Sequence, residues 1–452
     1  MNINCIDRQL ESEDTRRQQL TKALSWLVLQ LLHSREPSGF VEANLTSSIK
    51  LDSLDWYEGQ TLYPRCYWRG RDEAIEIVAL GCIRHFDSAE EAVQALPTGQ
   101  RVWGGSSFGG GNKEKHIESG TSPYYFLPRI ELIREKNTAL KLRVAWYQGD
   151  QSQAIDCLNQ LRQPEVCDRL AAPYIQKNFI SQPDFDQWQA MVDKSLVAIK
   201  DQKFKKVVLA RRSSWVFDRK LSATRLMKAS RKENLRSFHF MLAIDAEKTF
   251  LGSTPERLFR RENDVITTEA VAGTAARGVS DDADQAMANW LLTDEKNGYE
   301  NQLVVDDIHA RLQPYYNNIE ISDRPYLIAL RKVQHLKHHI SCKVNGAIDD
   351  AAILRRLQPT AAVAGLPLRE AVDFIHQHEP FDRGWYSGAI GYFSEARSEF
   401  CVGIRSALVE KNKLHLYAGA GIVPGSEALS EWRELGRKTS TLFGLIDVKK
   451  EV

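Results

Sequence analysis

A carboxylate and an ammonium seven residues apart, on one face of one helix, are the first residues here whose types and spacing suggest chemistry. In "SEALSEWRELGRKTSTLFGLI" the apolar stripe runs Leu435, Leu442, Ile446. Projected back one turn it reaches Glu431, and Lys438 follows seven residues later on roughly the same core-facing side. Ser426, after Pro424 and Gly425, is the expected N-cap, and Glu427 suits the positive end of the helix dipole. Glu434 and Lys438 also have the spacing of a surface ion pair. In "YENQLVVDDIHARL" Val304, Ile308 and Leu312 step by four, and Glu300 precedes them by one turn. Two buried carboxylates on separate helices repel unless a cation lies between them. Oxygen ligands alone favour Mg²⁺, which keeps waters and binds an anionic substrate as well. Two solvated helix-end glutamates would have the same spacing.

Other stretches carry single candidates. "FCVGIRSALV" reads as one alternating strand, with Arg405 on the face of Cys401, Gly403 and Ala407. Small neighbours leave a guanidinium room to grip a carboxylate in bidentate fashion, although a structural salt bridge fits equally. In "YAGAGIVPGS" Gly419 and Gly421 would let backbone N–H groups approach an anion, or simply form a hairpin turn. Glu256, after the Thr-Pro turn of "FLGSTPERLFRR", becomes a general acid only if burial raises its pKa. In "KFKKVVLARRSS" Lys203, Lys205 and Lys206 precede an apolar run, a pattern that usually keeps a strand edge soluble. The clusters "HLKHHI" and "HQHEP" include no HExxH and read as mixed surface and core histidines. No phosphate loop reads through "GGSSFGGGNKEK", a surface loop in this reading, because Gly111 stands where the lysine would be needed.

The elements that must position these residues follow from pattern and composition. Strands are expected at "KVVLARRSSWVF", "SFHFMLAI", "TFLGS", "FCVGIRSALV" and "KLHLYAGAGIV", with helices at 186–200, 282–313 and 426–446. Successive strands joined by turns, with helices in separate blocks, indicate an α+β fold with largely antiparallel sheets. Residues 1–185 mix an amphipathic helix with strands such as "EAIEIVALGCI" and "LKLRVAWY" and serve as packing support for a catalytic region at 186–448. The chain has 452 residues, and 60 Lys and Arg face 59 Asp and Glu, so no global field attracts nucleic acid or an anionic membrane. Seven scattered cysteines without a CxxC pair argue against a disulfide framework or zinc ribbon and fit a reducing cytoplasm. "SWLVLQLL" is too short to span a membrane and follows acidic residues, unlike a signal peptide.

Taken together, "KVVLARR", "FLGSTPERL", "EAVAGTAARG", "ENQLVVDDI", "VQHL", "LQPTAAVAGLP", "WYSGAIGYF", "FCVGIRSA" and "YAGAGIVPGSEALSEWRELGRK" resemble the chorismate-utilising enzymes in order and spacing. Within these the chain looks most like the menaquinone-pathway isochorismate synthases. The resemblance covers about 190–446, and "LYPRCYWRGRDE" shares it more loosely. It implies one large unit in which two antiparallel sheets pack together with helices outside, and Mg²⁺-dependent conversion of chorismate. By position it makes Glu300 and Glu431 metal ligands, and Gly273, Thr274, His335, Arg405, Gly421 and Lys438 substrate contacts.

The same resemblance gives Lys206 the role of base and Glu256 that of acid in adding water at C2 of the ring while the C4 hydroxyl departs. Anthranilate and aminodeoxychorismate synthases differ at Lys206 and in "VVDDI", and the latter also at Ala272. No ammonia chemistry and no glutamine amidotransferase partner is therefore expected. Salicylate synthases share the lysine and remain an alternative, as do siderophore-pathway isochorismate synthases. Gln358 and Leu366 favour the menaquinone-type group. A catalytically silent chorismate-binding subunit is the non-enzymatic alternative.

Overall fold

The alternating runs do form strands, and nearly all of them pair antiparallel. The structure is a computed structural model that describes residues 3–45, 51–109, 123–136, 138–164, 172–344 and 349–450, with side chains of the first helix from residue 18 onward. One series of paired strands runs Gly39–Leu45, Leu140–Trp146, Tyr124–Glu135, Ile75–Phe86, Arg65–Arg69, Phe238–Ala243 and Lys248–Thr254. It continues through Ser406–Glu410, Lys413–Ile422, Lys206–Phe217, Tyr174–Gln182 and Val448–Lys450, the last pairing being parallel. A second series runs Arg101–Ser106, Ala389–Ser394, Arg397–Val402, Arg257–Glu262, Val265–Ala276 and Val333–Lys343. The two series join where Arg101–Ser106 pairs with Tyr124–Glu135. Between them lies an aromatic core that includes Trp68, Phe126, Phe238 and Phe240 from the first series and Trp103, Ile390 and Tyr392 from the second. The expected α+β class with packed, largely antiparallel sheets is what the chain adopts.

Strands from the first 185 residues are woven into both series. Arg65–Arg69 pairs with Phe238–Ala243, Arg101–Ser106 with Ala389–Ser394, and Tyr174–Gln182 with Lys206–Phe217. Among the described residues no helix is long and apolar enough to cross a membrane, and Cys66, Cys82, Cys157, Cys342 and Cys401 are free.

Several local expectations need correction. The block read as one helix over 282–313 is two, Asp281–Thr293 and Glu295–Leu312, because Asp294 takes an extended conformation and caps the second by accepting from the Asn297 N–H. The last helix is Ala428–Phe443 with Glu427 at its cap position, and the expected cap, Ser426, instead accepts from the Val423 N–H. "FCVGIRSALV" is not one strand but Arg397–Val402 and Ser406–Glu410, with Arg405 between them at φ +50°. In "GGSSFGGGNKEK" Gly104, Gly105 and Ser106 end the strand Arg101–Ser106, and residues 110–115 lie outside the described residues.

The helices Phe185–Lys200 and Ala428–Phe443 cover the outer face of Lys206–Phe217 and Lys413–Ile422. Leu435 packs there, fully buried, with Trp188, Val207, Leu209, Ala420 and Ile422. Truncation at this point leaves a cavity beneath the helix that bears Glu431 and Lys438. Leu435→Ala is expected to cost roughly 2–5 kcal/mol in a urea unfolding curve, and a loss well under about 1 kcal/mol would show that the helix is not held by this contact.

Candidate active site

Opposite that packing face, strands of both series and two helices enclose one cavity. Glu256, Gly273, Thr274, Glu300, His335, Arg405, Gly421 and Lys438 all line it. These are eight of the ten residues singled out from sequence. Lys206 reaches the same place from the first residue of its strand: it is wholly buried, and its Nζ lies 2.9 Å from Glu300 Oε1. The strand alternation that turns Val207 and Leu209 into the core beneath the helices turns Lys206 and Val208 the other way. Glu431 is buried but lies two turns before Lys438 on its helix and pairs with Lys296 at 2.9 Å.

Glu300 is placed by two asparagines that the sequence reading did not single out. Asn301 Nδ2 donates to the carbonyls of Ala270, Ala272 and Leu336, and its Oδ1 lies 2.7 Å from His338 Nδ1. Asn297 Oδ1 accepts from the Thr274 N–H. The helix Glu295–Leu312 is thereby fastened to the strand Val265–Ala276 where that strand bulges at Gly273, whose φ of +78° favours glycine.

The charges are sorted by their neighbours. Burial pushes the Glu256 carboxyl up, Glu269 adds to this, and Lys206, Lys438 and Arg405 oppose it, with the result at about 8. Burial also pushes Glu300 upward, but Lys206, Lys438 and Lys296 outweigh it and hold this carboxyl below its ordinary value. Glu431 is raised by burial and by Glu434, against the pull of Lys296. At the far side Arg405 Nη2 donates to His335 Nε2 at 2.9 Å. Arginine can only donate, so the His335 proton is on Nδ1, within reach of the Gly273 carbonyl and Thr274 Oγ1. Burial, then Arg405 and Lys438, keep that imidazole neutral. Arg405 Nη1 is buried without a hydrogen-bond partner, as expected of a donor meant for a ligand anion.

Two sequence expectations change in kind. Gly419 and Gly421 are inside the strand Lys413–Ile422, paired with Ala210 and Val208, rather than in a turn with free N–H groups. They leave room for side chains: a Cβ on Gly421 would sit 2.3 Å from Glu300 Oε1, and one on Gly419 2.8 Å from the Tyr386 hydroxyl. Glu434 is no surface residue, since it lines the cavity and pairs with Lys438 at 2.5 Å. A helical projection alone does not separate Glu431 from Glu434, which differ by less than a turn.

Residues 89–447 match the family model described as "Chorismate binding enzyme". The isochorismate synthase MenF of Escherichia coli (strain K12) is 38% identical over 408 residues, 88% of this chain and 91% of that protein. The salicylate biosynthesis isochorismate synthase of Pseudomonas aeruginosa is 32% identical over 436 residues, covering 88% of this chain and 89% of that one. Among solved structures, the menaquinone-specific isochorismate synthase MenF from Escherichia coli superposes with a TM-score of 0.86 at 37% identity, over 94% of this chain and 99% of that one. Anthranilate synthase component I from Streptococcus pneumoniae shares the fold, with a TM-score of 0.61 at 18% identity over 90% of this chain and 92% of that one. The chain belongs to the chorismate-binding enzyme family.

The raised Glu256 carboxyl has a thermodynamic consequence. Its folded value of about 8 exceeds the ordinary 4.5, so its contribution to stability is complete below about 4.5 and is lost as pH rises to about 8. Glu256→Gln removes the ionisable group, and its stability relative to the parent should therefore grow across that window and level off above it. Urea unfolding at the two ends of the window checks this, and a constant difference would contradict a buried, protonated Glu256.

Proposed function

We propose that this chain is an Mg²⁺-dependent isochorismate synthase that adds water at C2 of chorismate as the C4 hydroxyl leaves. One observation carries the reading: Glu256, a buried carboxyl that favours its protonated form, lines the cavity, and the amine of Lys206 is buried against Glu300 in the wall of the same cavity. Lys206 is the base that takes a proton from the attacking water while oxygen bonds to C2. Glu256 gives its proton to the C4 oxygen, which leaves as water while the ring double bonds shift. Atoms balance as an isomerisation. Arg405, through the unpartnered Nη1, and Lys438 are suited to hold substrate carboxylate, with neutral His335 and Thr274 beside them.

The residue types suit a divalent cation, while among the described residues no three acidic, histidine or cysteine side chains are gathered into a ligand cluster. Glu300, Glu431 and Glu434 offer only carboxylate oxygens, and both other glutamates push the Glu431 carboxyl up, a mutual repulsion that a hard cation would relieve. Glu300 and Glu431 would hold it with Glu434 adjacent. Bound Mg²⁺ would take the ring carboxylate as a ligand and stabilise charge that develops in the transition state. The likeness to the MenF enzymes of Escherichia coli, Haemophilus influenzae and Pasteurella multocida, at 36–38% identity, supports a place in menaquinone synthesis. Residues 186–448 carry the chemistry in this reading and 1–185 support it by packing, in the cytoplasm and without an amidotransferase partner.

Incubation with chorismate, Mg²⁺ and ¹⁸O-water should give isochorismate labelled at C2 and no pyruvate. Unlabelled product would contradict water addition, and stoichiometric pyruvate would make the chain a salicylate-forming lyase. Turnover should fall as pH rises through about 8, where Glu256 loses its proton. Lys206→Ala should lower kcat by at least about 100-fold, whereas turnover unaffected by that change would remove the lysine from the mechanism.

A further inference from the structure

The turn that presents Glu256 is clamped from outside the catalytic half of the chain. Arg71 lies in the hairpin that joins Arg65–Arg69 to Ile75–Phe86. Its Nη1 donates to the Pro255 carbonyl at 2.5 Å and to Glu269 Oε2 at 2.8 Å, and its Nη2 donates to Glu269 Oε1. On the other side of Glu256, Arg257 is held by the same Glu269 at 3.3 Å and by Glu399 at 3.0 Å. Lys337 is the third cation on Glu269, at 2.9 Å. Both residues that flank Glu256 are therefore tied, directly or through one arginine, to a single carboxylate that is 3% exposed. The main chain of Glu256 adds two further links, its N–H to Thr254 Oγ1 and its carbonyl to the Val402 N–H.

A buried ionic cluster of this kind is a poor way to gain stability, because apolar side chains of similar volume usually do as well or better. Its geometry instead fixes the position of one backbone turn. We propose that Arg71 is a positioning residue for Glu256, acting through the Pro255 carbonyl and Glu269, and that the first 185 residues thereby contribute to the acid step as well as to packing. The inference rests on the reading of Glu256 as the acid. The charged groups that face Glu256 are Glu269 on Val265–Ala276, Lys206 on Lys206–Phe217, Lys438 on Ala428–Phe443, and Arg405. Of these only Glu269 favours the protonated acid, so the carboxylate that anchors the clamp also supports the state the acid must be in.

A double-mutant cycle on the full-length chain, read by isochorismate formation, tests this. Arg71→Ala should lower kcat by about 10- to 100-fold with little change in KM, and guanidinium ion should restore part of the loss. In a Glu256→Gln background the same change should cost almost nothing more. Equal losses in both backgrounds, or a loss without guanidinium rescue, would overturn the proposal. Where Arg71→Ala does not fold, Arg71→Lys keeps a cation but loses the second nitrogen, which in the parent holds Glu269 Oε1, and it should show the same dependence on Glu256. Glu269→Gln should move the basic limb of the kcat profile to lower pH, and an unmoved limb would also count against the clamp. If Glu256→Gln itself turns over normally, it is the acid assignment that fails, an outcome separate from the others.

Discussion

Holding carboxylates and ammonium groups against one another in one buried site is the constraint on which the rest of this structure depends. Lys206 and Glu300 meet at 2.9 Å with the lysine wholly buried. At an effective dielectric of about 20, a contact this close is worth several kcal/mol of attraction. That attraction offsets desolvation only if the partners cannot drift apart. The strand Lys206–Phe217 holds one of them, sealed outside by Leu435 and Trp188. The other is held by Asn301, whose amide spans three carbonyls of two neighbouring strands. Even Gly421 of Lys413–Ile422 follows from the same requirement, since a side chain there would displace the Glu300 carboxylate.

Two glutamates in one cavity are driven to opposite protonation states by where the cations stand. Both are desolvated, which by itself favours the protonated form. Glu300 has Lys206, Lys438 and Lys296 near enough to reverse that tendency. Glu256 feels Lys206, Lys438 and Arg405 less than it feels burial and Glu269. An enzyme that must give a proton on one side of a ring and hold negative charge on another needs this division. Here it arises from placement alone, with no difference in residue type.

Much of this was legible in the sequence, for reasons that particular residues make clear. The stripes behind Glu300 and Glu431 predict burial because helical periodicity is local, and Val304, Ile308 and Leu435 are indeed fully buried. Lys206 could be told from Lys203 and Lys205 only by resemblance, because alternation says which face a residue takes and not what that face meets. The reading of Arg405 as a strand residue misled, since φ +50° in a turn leaves no trace in a pattern of apolar and polar residues. Asn297, Asn301 and Arg71 act through contacts with carbonyls and carboxylates far along the chain, and no local spacing announces such partners. Glu434 fits a surface pair with Lys438, and only the packed helix shows that the pair borders the cavity.

The central claim is that the fold keeps Glu256 protonated while Glu300 beside Lys206 is ionised. Carbonyl-region difference infrared spectra of the protein with ¹³C-labelled glutamate, recorded against pH and assigned with Glu256→Gln, test it directly. The account predicts one protonated carboxyl band, absent from the variant, that disappears as pH rises through about 8. A Glu256 band that titrates near the ordinary 4.5 would contradict it.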